Sequence, residues 1–204
     1  MSSLPRLYAI ADAAFGNPVD SSRALFDGGA LLIQIRNKKV GAGELLEQVE
    51  AVQKFAPAGA LVLVNDRVDV ALLAKAAGVH LGQEDMPVEH ARSILGGKAI
   101  IGLSTHSLDQ ALQADRLPVD YIAAGPIYPT SSKDNPDPVL GIDRLREICR
   151  AVRKPVVAIG GITLERAGDV LAAGASSVAV IRDLVGAGNI AEQTRRYVRF
   201  CLNA

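Results

Sequence analysis

This sequence predicts an α/β fold, a (βα)8 TIM barrel built as a single domain over residues 1–204. Short runs rich in Val, Ile and Leu alternate with longer amphipathic stretches eight times along the chain. The apolar runs lack a clean polar alternation, as expected of strands covered on both faces. No glycine-rich dinucleotide fingerprint follows the first run, which argues against the open doubly wound sheet, the main rival. Strand followed by helix with short turns makes a parallel sheet, and eight evenly sized units close it into a barrel.

In chain order, strands are predicted at 6–12, 30–36, 60–65, 78–82, 99–104, 120–125, 155–159 and 176–181. Amphipathic periodicity places helices between them at 20–26, 43–55, 68–76, 88–95, 108–114, 142–152 and 164–172, with a last helix at 190–200. Gly28-Gly29, Gly78, Gly96-Gly97 and Gly174 fall where left-handed residues commonly end helices. One connection is long, 128–141, and holds Pro129, Pro136 and Pro138 among Ser and Asp residues. A loop of this length in a compact barrel reads as a functional lid, with a tolerated surface insertion as the alternative.

Composition narrows the function. Twenty-two Lys and Arg balance 22 Asp and Glu, so no bulk field draws the protein to nucleic acid or to a membrane. Any anion must be held by locally placed cations. Cys149 and Cys201 lie in helical patterns without metal or redox spacing and read as packing thiols. The first residues carry no basic-then-apolar signal region, and no apolar run reaches membrane-spanning length, so a cytoplasmic location is expected.

Barrels of this kind gather their chemistry at the C-terminal ends of the strands. The second strand ends Gln34-Ile-Arg36-Asn-Lys38, and a period of two puts Gln34, Arg36 and Lys38 on the interior side, rising toward the mouth. Interior cations are costly unless an anion meets them, whether substrate or a structural carboxylate. The third strand ends Val64-Asn65-Asp66 and the fourth Gly82-Gln83-Glu84-Asp85. Asp66 and Asp85 at adjacent mouths suit a shared Mg2+, which takes one or two carboxylates plus phosphate oxygens. Glu84 ranks below Asp85 as a ligand, and Asp66 can alternatively cap the following helix. The fifth strand ends in hydroxyls, Ser104-Thr-His106-Ser107. His106 reads as a loop or capping residue, and His80 and His90 as satisfied structural side chains. After the sixth strand, Thr130, Ser131, Ser132 and Lys133 bring hydroxyls beside an ammonium, a combination that grips phosphate. The seventh strand ends Ile159-Gly160-Gly161, and the eighth runs into Ile181-Arg182. Loops there commonly bind phosphate through backbone amides. The mouth therefore offers two anion sites, one made by cationic side chains and one by amides.

Six segments in order resemble the thiamine-phosphate synthase family: Gln34-Ile-Arg-Asn-Lys38, Asn65-Asp-Arg-Val-Asp69, Gly78-Val-His-Leu-Gly-Gln-Glu-Asp85, Gly102-Leu-Ser104, Gly125-Pro-Ile-Tyr-Pro-Thr-Ser-Ser-Lys133 and Ile159-Gly-Gly-Ile162. The resemblance covers nearly the whole chain. It implies a Mg2+-dependent transferase that joins a hydroxymethylpyrimidine diphosphate to a thiazole phosphate. It further implies that Gln34, Ile35, Arg36, Asn37, Lys38, Asn65, Ser104 and Lys133 hold the pyrimidine diphosphate. Arg36, Lys38 and Lys133 would serve catalysis, Asp66 and Asp85 the metal, and Thr130, Ser131, Ser132, Gly161, Ile181 and Arg182 the thiazole phosphate. Two positions depart from the family pattern, which has an acid at Asn37 and a small residue at Arg182. Arg182 keeps its backbone amide available and either adds a cation for the phosphate or crowds it.

The alternatives are the thiazole tautomerase branch of the same superfamily, a non-catalytic phosphate-binding barrel and an unrelated phosphosugar isomerase. The tautomerase branch tends to lose the Lys38 and Asp66 equivalents, both present here. An isomerase needs an acid–base pair facing one phosphate, against which the second, cationic anion site argues. The expected partners are small phosphorylated molecules, with self-association through the helix at 190–200 also open.

Overall fold

The structure, a computed structural model, describes residues 4–130 and 138–203. Its strands and helices alternate as β1 (Leu7–Asp12), α1 (Pro18–Asp27), β2 (Leu32–Arg36), α2 (Ala42–Gln53), β3 (Leu61–Asn65), α3 (Val68–Leu73), β4 (Gly78–Leu81) and α4 (Val88–Leu95). The second half continues with β5 (Ile100–Thr105), α5 (Leu108–Ala114), β6 (Tyr121–Ala124), α6 (Gly141–Ala151), β7 (Val156–Ile159), α7 (Leu164–Ala172), β8 (Ser177–Val180), α8 (Arg182–Val185) and α9 (Ile190–Asn203). The strands pair in parallel in chain order, and β8 pairs with β1 through Leu7↔Val178 and Ala9↔Val180, which closes the barrel.

Two apolar layers follow from the strand period of two. Tyr8, Ile10, Leu32, Leu63, Tyr121, Ala123, Val157 and Ala179 fill the barrel interior. Their neighbours, among them Leu7, Ala9, Ile33, Ile35, Val62 and Val64, point outward and pack under the helices. Local signals place the helices. Asn17 accepts the Val19 N–H at 2.8 Å and Pro18 opens α1, while Ser107 accepts the Gln110 N–H to start α5.

Three expectations change. Gly29, Gly96 and Gly174 have positive φ, but Gly28, Gly78 and Gly97 do not. Gly78 instead opens β4, where a Cβ would lie 1.8 Å from the Ile100 carbonyl oxygen, so close strand approach rather than a helix end requires glycine. Lys75, at φ 50°, takes the left-handed position after α3. A four-residue helix, α8, also precedes the last long one. The buried face of α9, with Thr194, Tyr197 and Cys201, packs on α1 and α8 and so completes the outer ring. Cys149 and Cys201 are both free, and Cys201 is buried. Half of the long connection, residues 131–137, lies outside the described residues. No helix among the described residues is long and apolar enough to cross a membrane.

Candidate active site

A cavity of about 850 Å³ opens at the C-terminal ends of the strands, over an apolar floor that includes Ile10 and Ala179. Strand β2 feeds it from one side. Gln34 and Arg36 stand opposite Ile10 and Asp12 of β1 in register, so all four face inward. Arg36 Nη1 donates to Asp12 Oδ2 at 2.6 Å, and Lys38 Nζ lies 3.1 Å from Asp66 Oδ2. Both cations are thus ion-paired, and both line the cavity. Their intervening neighbours turn away. Ile35 is buried in the outer core, and Asn37 Nδ2 donates to Gln48 Oε1 on α2 while its Oδ1 accepts the Lys39 N–H. Neither side chain lines the cavity.

Asp66 and Asp85 come together at the mouths of β3 and β4. The capping alternative for Asp66 does not hold: Arg67 is the N-cap residue of α3, no side chain caps that helix, and Asp66 itself has φ 62°. Asp85 Oδ2 accepts the Gly82 N–H at 2.6 Å. Burial raises the Asp85 pKa, the adjacent Asp66 carboxylate raises it further, and the Gly82 N–H and Lys38 oppose both. Two carboxylates held in mutual repulsion form a donor set that a hard divalent cation relieves. No cluster of three or more His, Cys, Asp or Glu side chains placed for a metal occurs among the described residues. The pair therefore fits Mg2+ completed by substrate oxygens and water. Glu84 is exposed and does not line the cavity. Asn65 does, and its side chain makes no hydrogen bond among the described residues.

Across the mouth, Thr130, Gly161, Ile181 and Arg182 line the same space. Gly161 has φ 62°, and a Cβ there would sit 2.5 Å from the Pro129 carbonyl oxygen, so only glycine lets this turn press against the residue-129 backbone. Arg166 Nη1 donates to the Gly161 carbonyl at 2.8 Å, with its guanidinium 4.6 Å over the Tyr128 ring. Arg182 lies 5.6 Å from the Phe15 ring. Among the described residues neither guanidinium has a carboxylate partner. Ser131, Ser132 and Lys133 lie outside the described residues.

Below the mouth runs a buried polar line. Ser104 Oγ is 2.9 Å from His80 Nε2, and His80 Nδ1 is 2.8 Å from Tyr121 OH. Tyr121 OH is 3.0 Å from Tyr8 OH, which accepts from Gln34 Nε2 at 2.7 Å. Burial pushes the Tyr8 phenol up to about 12 and the Tyr121 phenol well above its ordinary value. His106 Nδ1 lies 2.7 Å from the Gly125 carbonyl, in keeping with a loop residue, although it also borders the cavity.

Sequence reasoning missed Asp12, Arg166 and the part played by His80. Asp12 carried a usable signal, since it follows Tyr8 and Ile10 at the period that picked out Gln34 and Arg36. Arg166 sits on a helix, where an arginine ordinarily reads as solvated surface.

The model of the thiamine monophosphate synthase family matches residues 7–184. The thiamine-phosphate synthase of Koribacter versatilis is 47% identical over 189 residues, covering 89% of this chain and 90% of that protein. That of Methanoculleus marisnigri is 43% identical, covering 93% and 92%. Among solved structures, the thiamine phosphate pyrophosphorylase of Pyrococcus furiosus superposes with a TM-score of 0.90 at 38% identity, covering 98% of this chain and 96% of that one. Such identity across both lengths, on one barrel, means that the chain belongs to the thiamine monophosphate synthase family.

Proposed function

We propose that this enzyme is a transferase that condenses 4-amino-5-hydroxymethyl-2-methylpyrimidine diphosphate with 4-methyl-5-(2-phosphoethyl)thiazole, releasing thiamine phosphate and diphosphate. One observation carries the reading beyond family membership. A single cavity has two polar sides of different construction: Arg36, Lys38, Asp66 and Asp85 on one, and Gly161, Thr130 and Arg182 on the other. Two phosphorylated substrates brought to one mouth call for that asymmetry.

The chemistry is a substitution at the methylene carbon of the pyrimidine. Its bond to the diphosphate oxygen breaks, the electron pair leaves with the diphosphate, and the ring amino group delocalises the positive charge left behind. The thiazole nitrogen then supplies the pair for the new C–N bond. No protein nucleophile is required. Arg36, held at a fixed angle by Asp12, and Lys38 accept the growing negative charge on the leaving group, with Lys133 assigned to the same task by the family motif. Asp66 and Asp85 would hold Mg2+, whose charge when bound offsets that of the diphosphate. Gly161 and the 129–130 backbone, with Arg182, place the thiazole phosphate on the opposite side. The active molecule works in the cytoplasm, without nucleic-acid or membrane partners.

Mixing both substrates with the protein tests this directly. Diphosphate release is expected only when both substrates and Mg2+ are present, and chelation should abolish it. No release under those conditions rejects the assignment.

A further inference from the structure

We infer that Tyr8, Tyr121 and His80 decide which pyrimidine the site accepts, by fixing the direction of the hydrogen bonds that Gln34 and Ser104 offer: a 4-amino ring is taken and a 4-oxo ring refused. The inference rests on the proposed pyrimidine substrate and deepens it.

Counting hydrogens gives the direction. Gln34 Nε2 donates to Tyr8 OH. A phenol has one hydrogen, so Tyr8, already accepting from Gln34, passes its own to Tyr121 OH at 3.0 Å. Tyr121 passes its hydrogen to His80 Nδ1 at 2.8 Å. A neutral imidazole that accepts at Nδ1 carries its proton on Nε2, which faces Ser104 Oγ at 2.9 Å. Ser104 accepts, and its hydroxyl hydrogen is left for the cavity that it lines. At the opposite end, Gln34 gives one of its two amide hydrogens to Tyr8, and that contact turns its Oε1 away from the hydroxyl. Its Oε1 has no partner among the described residues, and Gln34 also lines the cavity.

The ends therefore differ in kind: Gln34 presents an acceptor and Ser104 a donor. The two phenols between are enclosed, with Tyr8 1% and Tyr121 0% exposed, so no water separates them, while His80, 8% exposed, borders the cavity. Burial also keeps both phenols protonated. Reversing one end demands an amide flip, two hydroxyl rotations and an imidazole tautomer change together. A 4-aminopyrimidine offers an amino donor beside a ring-nitrogen acceptor. The 4-oxo ring in its lactam form offers a carbonyl acceptor beside an N–H donor, the opposite pair. The fixed line complements the first and opposes the second. Tyr8, Tyr121 and His80 are positioning residues, acting through Gln34 and Ser104.

Two measurements decide it. Nitrogen-15 NMR of the full chain should show His80 bare at Nδ1 and protonated at Nε2. His106 gives an internal reference, because its Nδ1 faces a carbonyl and must carry the proton. A proton on Nδ1 of His80 overturns the inference. In steady-state assays of the wild type, the 4-oxo pyrimidine diphosphate should inhibit with a constant at least about tenfold above the KM of the 4-amino substrate. Tyr8→Phe keeps the ring, removes the hydroxyl and frees the Gln34 amide to turn. That gap should then shrink about tenfold, with the KM for the thiazole phosphate unchanged. Tyr121→Phe makes the same test one link further along if Tyr8→Phe does not fold. An unchanged gap in a folded variant overturns the inference alone. No turnover of the 4-amino substrate by the wild type overturns the proposed reaction and the inference with it.

Discussion

Asp12 uses both carboxylate oxygens. Oδ1 accepts the Ala14 N–H at 2.9 Å and Oδ2 accepts from Arg36 at 2.6 Å, with the Asp12 side chain 3% exposed. Asp12→Ala strands a guanidinium that is itself largely enclosed, and loss of one partner of such a pair costs about 3 kcal/mol. Urea unfolding should show that loss, and kinetics should show a raised KM for the pyrimidine diphosphate with the KM for the thiazole phosphate unmoved. Asp66 makes the opposite case. Its partner Lys38 is 59% exposed, and a pair in that setting contributes about 1 kcal/mol or less. Asp66→Asn, which keeps a residue type that tolerates φ 62°, should therefore unfold close to wild type while turnover falls by about two orders of magnitude. A variant that loses stability but keeps turnover would remove Asp66 from the proposed metal pair.

At the level of the element, glycines mark where backbone and side chain meet most closely. In β5 a Cβ on Gly102 would lie 1.9 Å from Tyr121 Cζ, inside the barrel, so Gly102→Ala forces that ring from its place. Overpacking of this kind costs about 1–3 kcal/mol, and because Tyr121 stands in the line that orients Ser104, amino-over-oxo selectivity should fall with stability. Gly161→Ala acts on a different function: strained at φ 62° and pressed on the Pro129 carbonyl, it should raise the KM for the thiazole phosphate and spare that for the pyrimidine. The strands are the elements the sequence describes best, because a period of two and burial on both faces leave few readings; Gln34 and Arg36 were found that way. Helix ends were less legible. Gly78 looked like a terminator because its real constraint, the Ile100 carbonyl on the neighbouring strand, is not local. The ion pairs of Arg36 and Lys38 were an open alternative for the same reason, since their partners Asp12 and Asp66 belong to other strands. His80 read as a structural residue, which it is, but the line linking it to Gln34 and Ser104 spans five strands and leaves no local signature.

For the whole barrel, closure determines how the protein responds to alkali. Pairing β8 with β1 seals Tyr8 and Tyr121 into an interior that excludes the phenolate, and burial raises both pKa values, that of Tyr8 to about 12. The remaining tyrosines behave alike: Tyr128 is raised by burial and by Asp169, and Tyr197 by burial and by Asp183, whose Oδ2 accepts its hydrogen at 2.7 Å. All four phenols of the chain thus keep their protons longer when folded than when unfolded. The sign follows from linkage. Between the ordinary tyrosine value near 10 and the raised ones, the unfolded chain has released protons that the folded chain still binds. The stability these groups contribute is complete below pH 10 and declines as pH climbs above it, through about 12 for Tyr8. Tyrosinate absorbance in the near ultraviolet should consequently lag behind that of the denatured chain and then rise in one step, coincident with loss of the far-ultraviolet circular dichroism of the helices. Smooth titration of three or more phenols near pH 10 with the helical signal intact would include Tyr8 or Tyr121 and mean that water reaches the centre of the barrel, and the fixed line from Gln34 to Ser104 could not then hold its direction.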